Sequence, residues 1–499
     1  MKITLVLCPS WGIETPHLGI ALLSASLRKN GFAVDVLDLN IRFHNRHKED
    51  GLWKSEEDVH WEDPQSLNRF VQENSALLDS FANEILTTGS EVIGFSVYST
   101  TQRLSLELAR RIKSKDKSRT IICGGQMCYP QARAMSLIRE EFVDAVVLGE
   151  GDEVIVSLMR KMAESGKPDH CPGVLWKENG TVRSGGLAPV IADLDGLPYP
   201  DFSDFNLQDH GNPTQLPMLA SRGCPYPCAF CNTKLFWVKH RSMSGERMFR
   251  EVLHDLDSYP EVHFITFNDH TVNADMEAFS RFVDLATELK ETRGHLKRNY
   301  ARLGWKGAAV IREEMTRELM GKVKRSGCIE LEYGVESASD KVRRIMRKPP
   351  KDMGTLERVI RDTAEAGIDV RANFMFGFPG ETVEDFEQTL EFLRRNKDYF
   401  KQVHPSETFC HIDPDTYMYN HPQEFGITNF LTNSLYWESA EDPQNIYPER
   451  LRRHQVFCDL ASSLNIPLSP GGLKIQLHKQ HFLDEYFRYK ARISGQPAV

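Results

Sequence analysis

Residues 221–231 read SRGCPYPCAFC and place three cysteines within eight residues. Pro225 and Pro227 prevent a regular helix here, because proline has no backbone N–H to donate and its ring clashes with the preceding turn. The C-x3-C-x2-C spacing therefore predicts a loop on which three thiolates converge on one inorganic centre. These thiolates are Cys224, Cys228 and Cys231.

Two kinds of centre fit three cysteines on one loop. A structural zinc ion takes four ligands, and His240 is a candidate for the fourth. A four-iron cluster normally uses four thiolates, so a cluster held by three keeps one iron open to a substrate or cofactor. The spacing alone leaves both alternatives open.

The composition is that of a soluble globular protein of two or three domains: 499 residues, 40% hydrophobic and 26% charged. A net charge of -9 gives no electrostatic support for a nucleic-acid partner. The opening MKITLVLCPSW contains too few apolar residues for a signal peptide or a membrane span. It predicts a first β-strand instead. Ten cysteines without a secretion signal favour a reducing cytoplasm.

The first part of the chain, residues 1–190, alternates β-type apolar runs with helix-period stretches. Such alternation predicts a parallel, doubly wound α/β domain of five strands and flavodoxin-like size, with residues 44–80 as an insertion. The predicted strands are ITLVLCP, AVDVLDLN, EVIGFSVYS, TIICGGQ and DAVVLGEG, and the predicted helices are 18–30, 104–115 and 132–141.

Ligands of doubly wound sheets lie beyond the carboxyl ends of the strands. Glycine at three of these ends lets a bulky ligand approach the backbone, although glycines also end strands for purely structural reasons. The candidate ligand contacts at this edge are Ser96, Tyr98, Ser99, Gly124, Gly125, Gly149 and Glu150.

A short hairpin and a linker are predicted to follow this domain. Asn179-Gly180 is the dipeptide that a type I′ hairpin turn prefers. The Pro- and Asp-rich stretch that follows predicts a linker over residues 191–210.

The second half repeats the order of strand and helix six times over residues 211–420, which predicts a partial (β/α)6 barrel. Residues 421–499, rich in aromatic and charged side chains, predict a helical C-terminal cap with NIYPERLRRHQVFCDLASSL as its clearest helix. The predicted strands are PMLASRG, VHFITFND (262–269), RLGWKGAAV (302–310), CIELEYGVES (328–337), VRANFMFGFPG (370–380) and TFCHIDP (408–414).

The cysteine loop resembles that of radical S-adenosylmethionine (SAM) enzymes, with Phe230 as the aromatic residue before the last cysteine. Residues 333–348 (YGVESASDKVRRIMRK) resemble the fourth-strand segment of that family, and residues 373–382 (NFMFGFPGET) resemble the fifth. The resemblance implies a [4Fe-4S] cluster on the three cysteines and SAM bound at its open iron.

The same resemblance implies cofactor contacts for four further side chains. Glu336, Ser337 and Arg312 would contact the ribose or methionine part of SAM, and Asp269 would end the second strand near its amino group. As alternatives, Glu336 could cap a helix and Arg312 could form a surface ion pair. Glu381 falls one residue late for the family's fifth-strand pattern.

A doubly wound domain before a radical SAM barrel resembles the cobalamin-binding branch of the superfamily. Residues 9–40 are similar to its opening βαβ unit. The Asp-x-His-x-x-Gly motif that supplies a histidine to cobalt is missing from the sequence. The resemblance therefore implies cobalamin bound without a protein histidine on cobalt, and an empty domain is the alternative.

The function implied by the resemblance is methylation of an unactivated carbon in a small molecule, through a 5′-deoxyadenosyl radical and methylcobalamin. An external one-electron reductant such as flavodoxin or ferredoxin would be the partner. No catalytic acid or base is assigned, since Tyr98, Glu332 and Tyr333 fit packing roles better.

Three alternatives have other outcomes. A radical enzyme with the same cofactors could rearrange, cyclise or oxidise its substrate. A tRNA methylthiotransferase would need a second cluster, for which Cys8, Cys123, Cys128 and Cys171 are a poor ligand set. A cobalamin or redox sensor would form no 5′-deoxyadenosine beyond its own concentration.

Overall fold

The structure is a computed structural model that describes residues 1–54, 60–61, 63–349, 352–406, 409–431 and 433–494. The chain packs into two compact units, Met1–Gly223 with Leu235–Thr266 and Cys224–Lys234 with Phe267–Val499. The domain boundaries predicted from the sequence stay predictions. Within the described residues, no helix combines the length and apolarity needed to cross a bilayer.

The first unit opens with an α/β sandwich in which strands and helices alternate, followed by a hairpin. Its elements are β1 (Lys2–Leu7), α1 (Leu18–Lys29), β2 (Ala33–Asp38), α2 (Leu39–Arg46), α3 (Pro64–Glu73), α4 (Ser75–Thr87), β3 (Val92–Ser96), α5 (Gln102–Lys115), β4 (Thr120–Gly124), α6 (Gln131–Arg139), β5 (Ala145–Val147), α7 (Asp152–Ser165), β6 (Val174–Glu178) and β7 (Thr181–Ser184).

Strands β1 to β5 are parallel and lie in the order β2-β1-β3-β4-β5. This is the flavodoxin-like order, in which the chain reverses direction across the sheet between β1 and β3. The five predicted strands are all present. Side chains on β1, β3 and β4, such as Val6, Phe95 and Cys123, are buried in one apolar core with residues of the covering helices.

The segment predicted as an insertion, residues 44–80, carries packed helices in its second half. Helices α3 and α4 occupy this region, and Phe70, Leu78 and Phe81 are buried in the same core as the sheet. These helices form the connection from β2 to β3. Their polar outer faces dominate the composition of the segment and hide its apolar stripe. Residues 55–59 and 62 of the predicted insertion lie outside the described residues.

The hairpin of β6 and β7 extends the sheet in antiparallel fashion beyond β5. Asn179 and Gly180 both have positive φ, 50° and 78°, as the predicted type I′ turn requires.

A buried cluster of four charges lies at the end of β5. The Arg222 guanidinium donates to both carboxylate oxygens of Asp152 at 2.8 Å and to Glu150 at 2.8 Å, and Arg241 pairs with Glu150 at 2.7 Å. No side chain of the four is more than 9% exposed. Burial alone would raise the pKa of Asp152, but the charge and hydrogen bonds of Arg222 hold it below its usual range. Mutual pairing is what makes burial of these charges tolerable.

We expect Arg222→Met to lower the free energy of unfolding by about 3–5 kcal/mol, because it leaves Asp152 buried without its counter-charge. The measurement is urea unfolding followed by circular dichroism. Arg183→Met is the matched control, since Arg183 pairs with Glu178 at 3.1 Å but is 55% exposed, and exposed pairs contribute about 0–1 kcal/mol. Equal losses in the two variants would contradict a stabilising role for the buried cluster.

The chain then enters the second series of strands and helices. The next elements are β8 (Gln215–Met218), β9 (Ser221–Arg222), α8 (Thr233–Phe236), β10 (Arg241–Ser242), α9 (Gly245–Ser258) and β11 (Phe264–Phe267).

The second unit continues this series and ends in a group of helices. Its elements are α10 (Met276–Arg293), α11 (Arg298–Arg302), β12 (Gly304–Ala309), α12 (Arg317–Arg325), β13 (Cys328–Glu336), α13 (Asp340–Ile345), α14 (Met353–Glu365), β14 (Asp369–Phe374), α15 (Val383–Arg395), β15 (Gln402–Pro405), α16 (Tyr417–Asn420), β16 (Ile427–Thr428), β17 (Glu438–Ser439), α17 (Tyr447–Ser463), α18 (Pro470–Leu477) and α19 (Lys479–Ser494).

Strands β12 to β15 are parallel neighbours in chain order, as a barrel of β/α units requires. Gly327 and Gly367, with φ of 107° and 82°, follow α12 and α14 in the positions predicted for them. The predicted cap helix is α17. Thr432 and residues 495–499 of the predicted cap lie outside the described residues.

The predicted sixth strand is wrong. Strand β15 is Gln402–Pro405, not residues 408–414, and Phe409 and Cys410 have φ of 41° and 60°. Left-handed backbone cannot continue a strand. The apolar residues that suggested a strand are buried in irregular backbone instead, and Thr408 lies outside the described residues.

Candidate functional site

The cysteine loop is fixed to its own unit by backbone hydrogen bonds. The Ala229 N–H donates to the Met346 carbonyl at 2.9 Å, and the Met418 N–H donates to the Ala229 carbonyl at 3.0 Å. Ala229 is fully buried, whereas all three cysteines are partly exposed. The loop is therefore anchored at its centre, and its thiols remain accessible.

The three thiols are close enough for their charges to interact. Burial raises the pKa of Cys228 to about 11 against the opposing effect of Lys348, and burial also raises the pKa of Cys224. Cys231 Sγ lies 3.1 Å from the Thr233 hydroxyl. Thiols with raised pKa values become stable thiolates when a bound cation compensates their charge. The donor set thus fits an iron–sulfur cluster.

The alternative of a single zinc ion is less well matched. His240, its candidate fourth ligand, has Nδ1 3.3 Å from the Gly223 carbonyl and Nε2 3.0 Å from the Ser242 hydroxyl. Both ring nitrogens are thus engaged. Among the residues that the structure describes, no group of three or more His, Cys, Asp or Glu is arranged to hold a metal ion. A cluster differs from such an ion because each thiolate binds a separate iron.

Lys348 brings two predicted site residues together. Its Nζ lies 3.1 Å from Glu336 Oε1 and 6.0 Å from the centre of the Phe230 ring. The side chains of Lys348 and Glu336 are only 13% and 12% exposed. Gly334 leaves the space for this pair, because a Cβ there would lie 2.6 Å from both the carboxylate and the ammonium. Lys348 closes the stretch 333–348 and was not assigned a role from the sequence.

Glu336 and Ser337 lie at the carboxyl end of β13, as the barrel geometry predicts. Glu336 has φ of 64°, a conformation that non-glycine residues rarely adopt and that recurs at functional sites. Ser337 is fully buried, and its hydroxyl accepts from the Ser339 N–H at 3.2 Å. The buried Arg343 donates to the carbonyls of Val335 and Ser337 at 2.5 and 3.5 Å. These bonds fix the backbone around Glu336, which does not cap a helix itself, since Ser339 caps α13.

Asp269 and Arg312 have different surroundings. Asp269 is buried beyond the end of β11. The Arg312 guanidinium donates to the Ala274 carbonyl at 2.8 Å and pairs with the exposed Glu314 at 2.7 Å. Its charge opposes the rise that burial causes in the pKa of Tyr226 in the cysteine loop. The ion pair expected as the alternative for Arg312 is thus present, beside that loop.

Three further polar side chains on β13 and after β14 have partners within the protein: Tyr333, Glu332 and Glu381. The buried Tyr333 bonds Thr363 Oγ1 at 2.9 Å, in keeping with packing. Asn373 donates to Glu332 at 2.7 Å. Glu381 accepts from the Gly377 N–H at 2.6 Å and pairs with Arg453 at 2.7 Å.

In the first unit, an aromatic cluster lies beyond β1 and β3, where the sheet order reverses. The Tyr98 hydroxyl lies 3.0 Å from His17 Nε2, and the Trp11 ring centre lies 3.9 Å from that of Tyr98. Burial raises the pKa of Tyr98 to about 12 and lowers that of His17 to about 4, so both are neutral at pH 7. Of the two serines near Tyr98 in the sequence, Ser96 is partly exposed and Ser99 is exposed. Trp11 is 37% exposed, and neither Trp11 nor His17 was assigned a role from the sequence.

The three glycines and Glu150 at this edge differ in what surrounds them. Gly125 has φ of 105° and a Cβ there would lie 2.9 Å from the Val97 carbonyl, which gives it a structural role. A Cβ at Gly124 would only touch Val147, and a Cβ at Gly149, with φ of 70°, would meet open space. Glu150 belongs to the buried charge cluster described above.

The four upstream cysteines, Cys8, Cys123, Cys128 and Cys171, are all buried. Burial raises the pKa of Cys8 and of Cys123 to about 12. They have the environment of core residues.

Residues 218–393 match the family model described as the radical SAM superfamily. The chain is 26% identical over 301 residues to an uncharacterised methyltransferase of Pyrococcus horikoshii, a match that covers 59% of this chain and only 60% of that relative. It is 23% identical over 428 residues to cytidylyl-2-hydroxyethylphosphonate methyltransferase of Streptomyces wedmorensis, covering 76% of this chain and 73% of the relative.

Among solved structures, the radical SAM methyltransferase TsrM of Kitasatospora setae, with cobalamin and a [4Fe-4S] cluster bound, aligns with a TM-score of 0.60. The identity is 16%, over 84% of this chain and 77% of that one. This likeness confirms the predicted fold, a doubly wound domain followed by a partial (β/α)6 barrel and a helical cap.

Proposed function

We propose that this protein, whose residues 218–393 match the radical SAM superfamily model, is a cobalamin-dependent radical SAM enzyme that methylates an unactivated carbon of a small molecule. The observation that carries the proposal is the anchored loop with three accessible cysteines, joined to the fold that TsrM shares. The similarity to two methyltransferases supports transfer of a methyl group.

Cys224, Cys228 and Cys231 would hold the cluster, and the carboxyl edge of the first sheet would hold cobalamin. When bound, the cluster, SAM and cobalamin supply electron transfer, hydrogen-atom abstraction and a transferable methyl group. The chain itself would bind these cofactors, orient them and exclude water from them. The backbone hydrogen bonds of Ala229 fix the position of the loop. The Lys348 ammonium would offset the negative charge of three cluster-bound thiolates.

We assign the SAM contacts to residues around β13 and the cysteine loop. Glu336 would accept hydrogen bonds from ribose hydroxyls, and its pairing with Lys348 at 3.1 Å orients the carboxylate. Phe230 would pack against the cofactor from the loop. Ser337, whose hydroxyl accepts from the Ser339 N–H, and Arg312 would contact the ribose or methionine part, and the buried Asp269 would lie near the amino group.

The cobalamin contacts would come from the ends of β3, β4 and β5. Tyr98, bonded to His17 and packed against Trp11, offers a neutral surface to an apolar ring system. Polar contacts would come from Ser96 and Ser99, and space for the ring system from Gly124 and Gly149. Gly125 and Glu150 would support the backbone of this edge without touching the cofactor.

We further propose that the substrate is a small molecule, that a flavodoxin or ferredoxin supplies the electron, and that the protein works in the cytoplasm. The net charge of -9 supports a non-nucleic-acid substrate.

The test of the function starts from anaerobically purified, cluster-reconstituted protein. Iron, sulfide and cobalt are measured after incubation with hydroxocobalamin and desalting, and 5′-deoxyadenosine is measured after addition of SAM and dithionite. We expect about four irons per chain, about one cobalt, as a single bound cobalamin requires, and more 5′-deoxyadenosine than enzyme. Zinc without iron would end the radical interpretation, and iron without cobalt would leave a radical enzyme without methyl transfer from cobalamin.

Replacing Cys224, Cys228 and Cys231 together by alanine should remove the iron and its visible absorption, because thiolates are the cluster's ligands. Cobalamin binding should persist, since its proposed contacts lie elsewhere. Cys171→Ala, which removes a buried cysteine, is the control and should keep its iron. A triple variant that retains about four irons per chain would refute the assignment.

Gly149→Val should weaken cobalamin binding about 10-fold, or about 1.4 kcal/mol, because it fills open space at the strand end. The measurement is cobalamin affinity by absorbance titration. Gly166→Val is the matched control: Gly166 also has positive φ, 72°, and open space around its Cβ position, but it ends α7. Equal cobalamin affinities in the two variants would mean that cobalamin binds elsewhere. The iron contents of the two variants should be the same.

A further inference from the structure

A serine, a histidine and an aspartate in the chain that follows β15 form a continuous hydrogen-bonded chain. Ser434 Oγ lies 2.5 Å from His411 Nε2, and His411 Nδ1 lies 3.0 Å from Asp413 Oδ1. An ionised carboxylate can only accept, so Asp413 selects the tautomer with the proton on Nδ1. Nε2 is then the basic nitrogen, and it faces the serine hydroxyl. This is the arrangement in which histidine activates a hydroxyl group.

The two segments that carry these side chains are held against each other by their backbones. The Ile412 N–H donates to the Ser434 carbonyl at 3.1 Å, and the Trp437 indole donates to the Cys410 carbonyl at 2.9 Å. The Thr416 hydroxyl donates to the Asp413 carbonyl at 2.7 Å. The contacts among Ser434, His411 and Asp413 therefore join side chains whose backbones are held in place by hydrogen bonds.

The chain of contacts continues to the cysteine loop. Asn232, the residue after Cys231, donates from Nδ2 to Asp413 Oδ2 at 2.8 Å. The carboxylate thus uses one oxygen for His411 and the other for the loop. His411 and Asp413 also follow β15, at the carboxyl ends of the barrel strands, where active sites of such barrels lie.

Accessibility separates this group from the buried polar pairs of the core. The side chains of His411 and Asp413 are 33% and 31% exposed, and Ser434 is partly exposed. By contrast, the pair of Arg453 and Glu381 is almost fully buried. A hydroxyl activated by a histidine and open to solvent is placed to meet another molecule.

We propose that Ser434, His411 and Asp413 form an acid–base triad whose serine hydroxyl exchanges a proton with the substrate. This inference deepens the proposed function and rests on it for the identity of the reaction. Ser434 Oγ accepts a proton from an N–H or O–H group of the substrate while its own proton passes to His411 Nε2. The serine remains a hydroxyl throughout, and the reverse transfer restores the neutral imidazole, so no oxidant or reductant is needed. Asp413 acts as a positioning residue and stabilises the imidazolium. The substrate class is thus a small molecule with an acidic N–H or O–H group.

The test uses a fluorophosphonate probe on the full-length, reconstituted protein, because it reads activation of the hydroxyl without a known substrate. Ser434 Oγ forms a bond to phosphorus, the P–F bond breaks, fluoride leaves, and the hydroxyl proton passes through His411 to water. Mass spectrometry locates the label. We expect Ser434 to be labelled, at a rate that falls about 100-fold in His411→Gln, the usual lower range for loss of a general base.

Three further variants complete the experiment. Asp413→Asn should slow labelling more than about 10-fold, because it favours the wrong tautomer, and Asp413→Glu should restore part of the rate. His421→Gln is the matched control, since His421 Nδ1 lies 3.0 Å from the Tyr417 carbonyl, and its labelling should equal that of the unaltered protein. Circular dichroism of each variant verifies folding.

Absence of label on Ser434, or equal rates with and without His411, would overturn the triad. Iron content and 5′-deoxyadenosine formation are measured on the same samples. Labelling of Ser434 in protein without iron would refute the radical function and support the triad. Iron and SAM cleavage without a label on Ser434 would support the radical function and refute the triad.

Discussion

Parallel strand pairing is the constraint on which both units depend. When all strands of a sheet run in one direction, their carboxyl ends meet at a single edge, and every loop that leaves a strand must start there. In the first unit this brings Trp11, Tyr98 and Gly149 to one edge. In the second unit it places Glu336 and the segment after β15 at the ends of β13 and β15, the two strands that flank β14. Residues far apart in the sequence thus become candidates for common sites.

Charge balance is the second theme of the molecule. Buried guanidinium groups meet either carboxylates, as Arg222 does, or backbone carbonyls, as Arg343 does. Loss of solvation lowers the pKa of Arg343 to about 10 despite the nearby Glu336. The Lys348 ammonium beside the cysteine loop belongs to the same pattern, because its charge opposes the rise that burial causes in the pKa of Cys228.

The local features of the sequence predicted much of the fold. Strand β13, helix α14 with Gly367 and the Asn179-Gly180 turn follow from periodicity and turn chemistry, which act over a few residues. The strand assigned to residues 408–414 failed because apolar residues after a turn look like a strand when the left-handed backbone at Phe409 is unknown. The cysteine spacing identified the loop, but no local pattern joins His411 to Ser434, 23 residues later. Likewise Arg222 gives no sign of its partner Asp152. Pairings of this kind depend on tertiary structure, which a single sequence does not display.

The hairpin that ends the first sheet has a consequence for how the protein behaves at high concentration. Parallel strands would leave β5 as a row of unpaired N–H and C=O groups, ready to add a strand from a neighbouring molecule. The antiparallel β6 covers that row, and β7 then forms the border with only four residues, among them the charged Arg183. So short and charged a border is a poor template for intermolecular strand addition. The two strands thus act as protection against aggregation at this border.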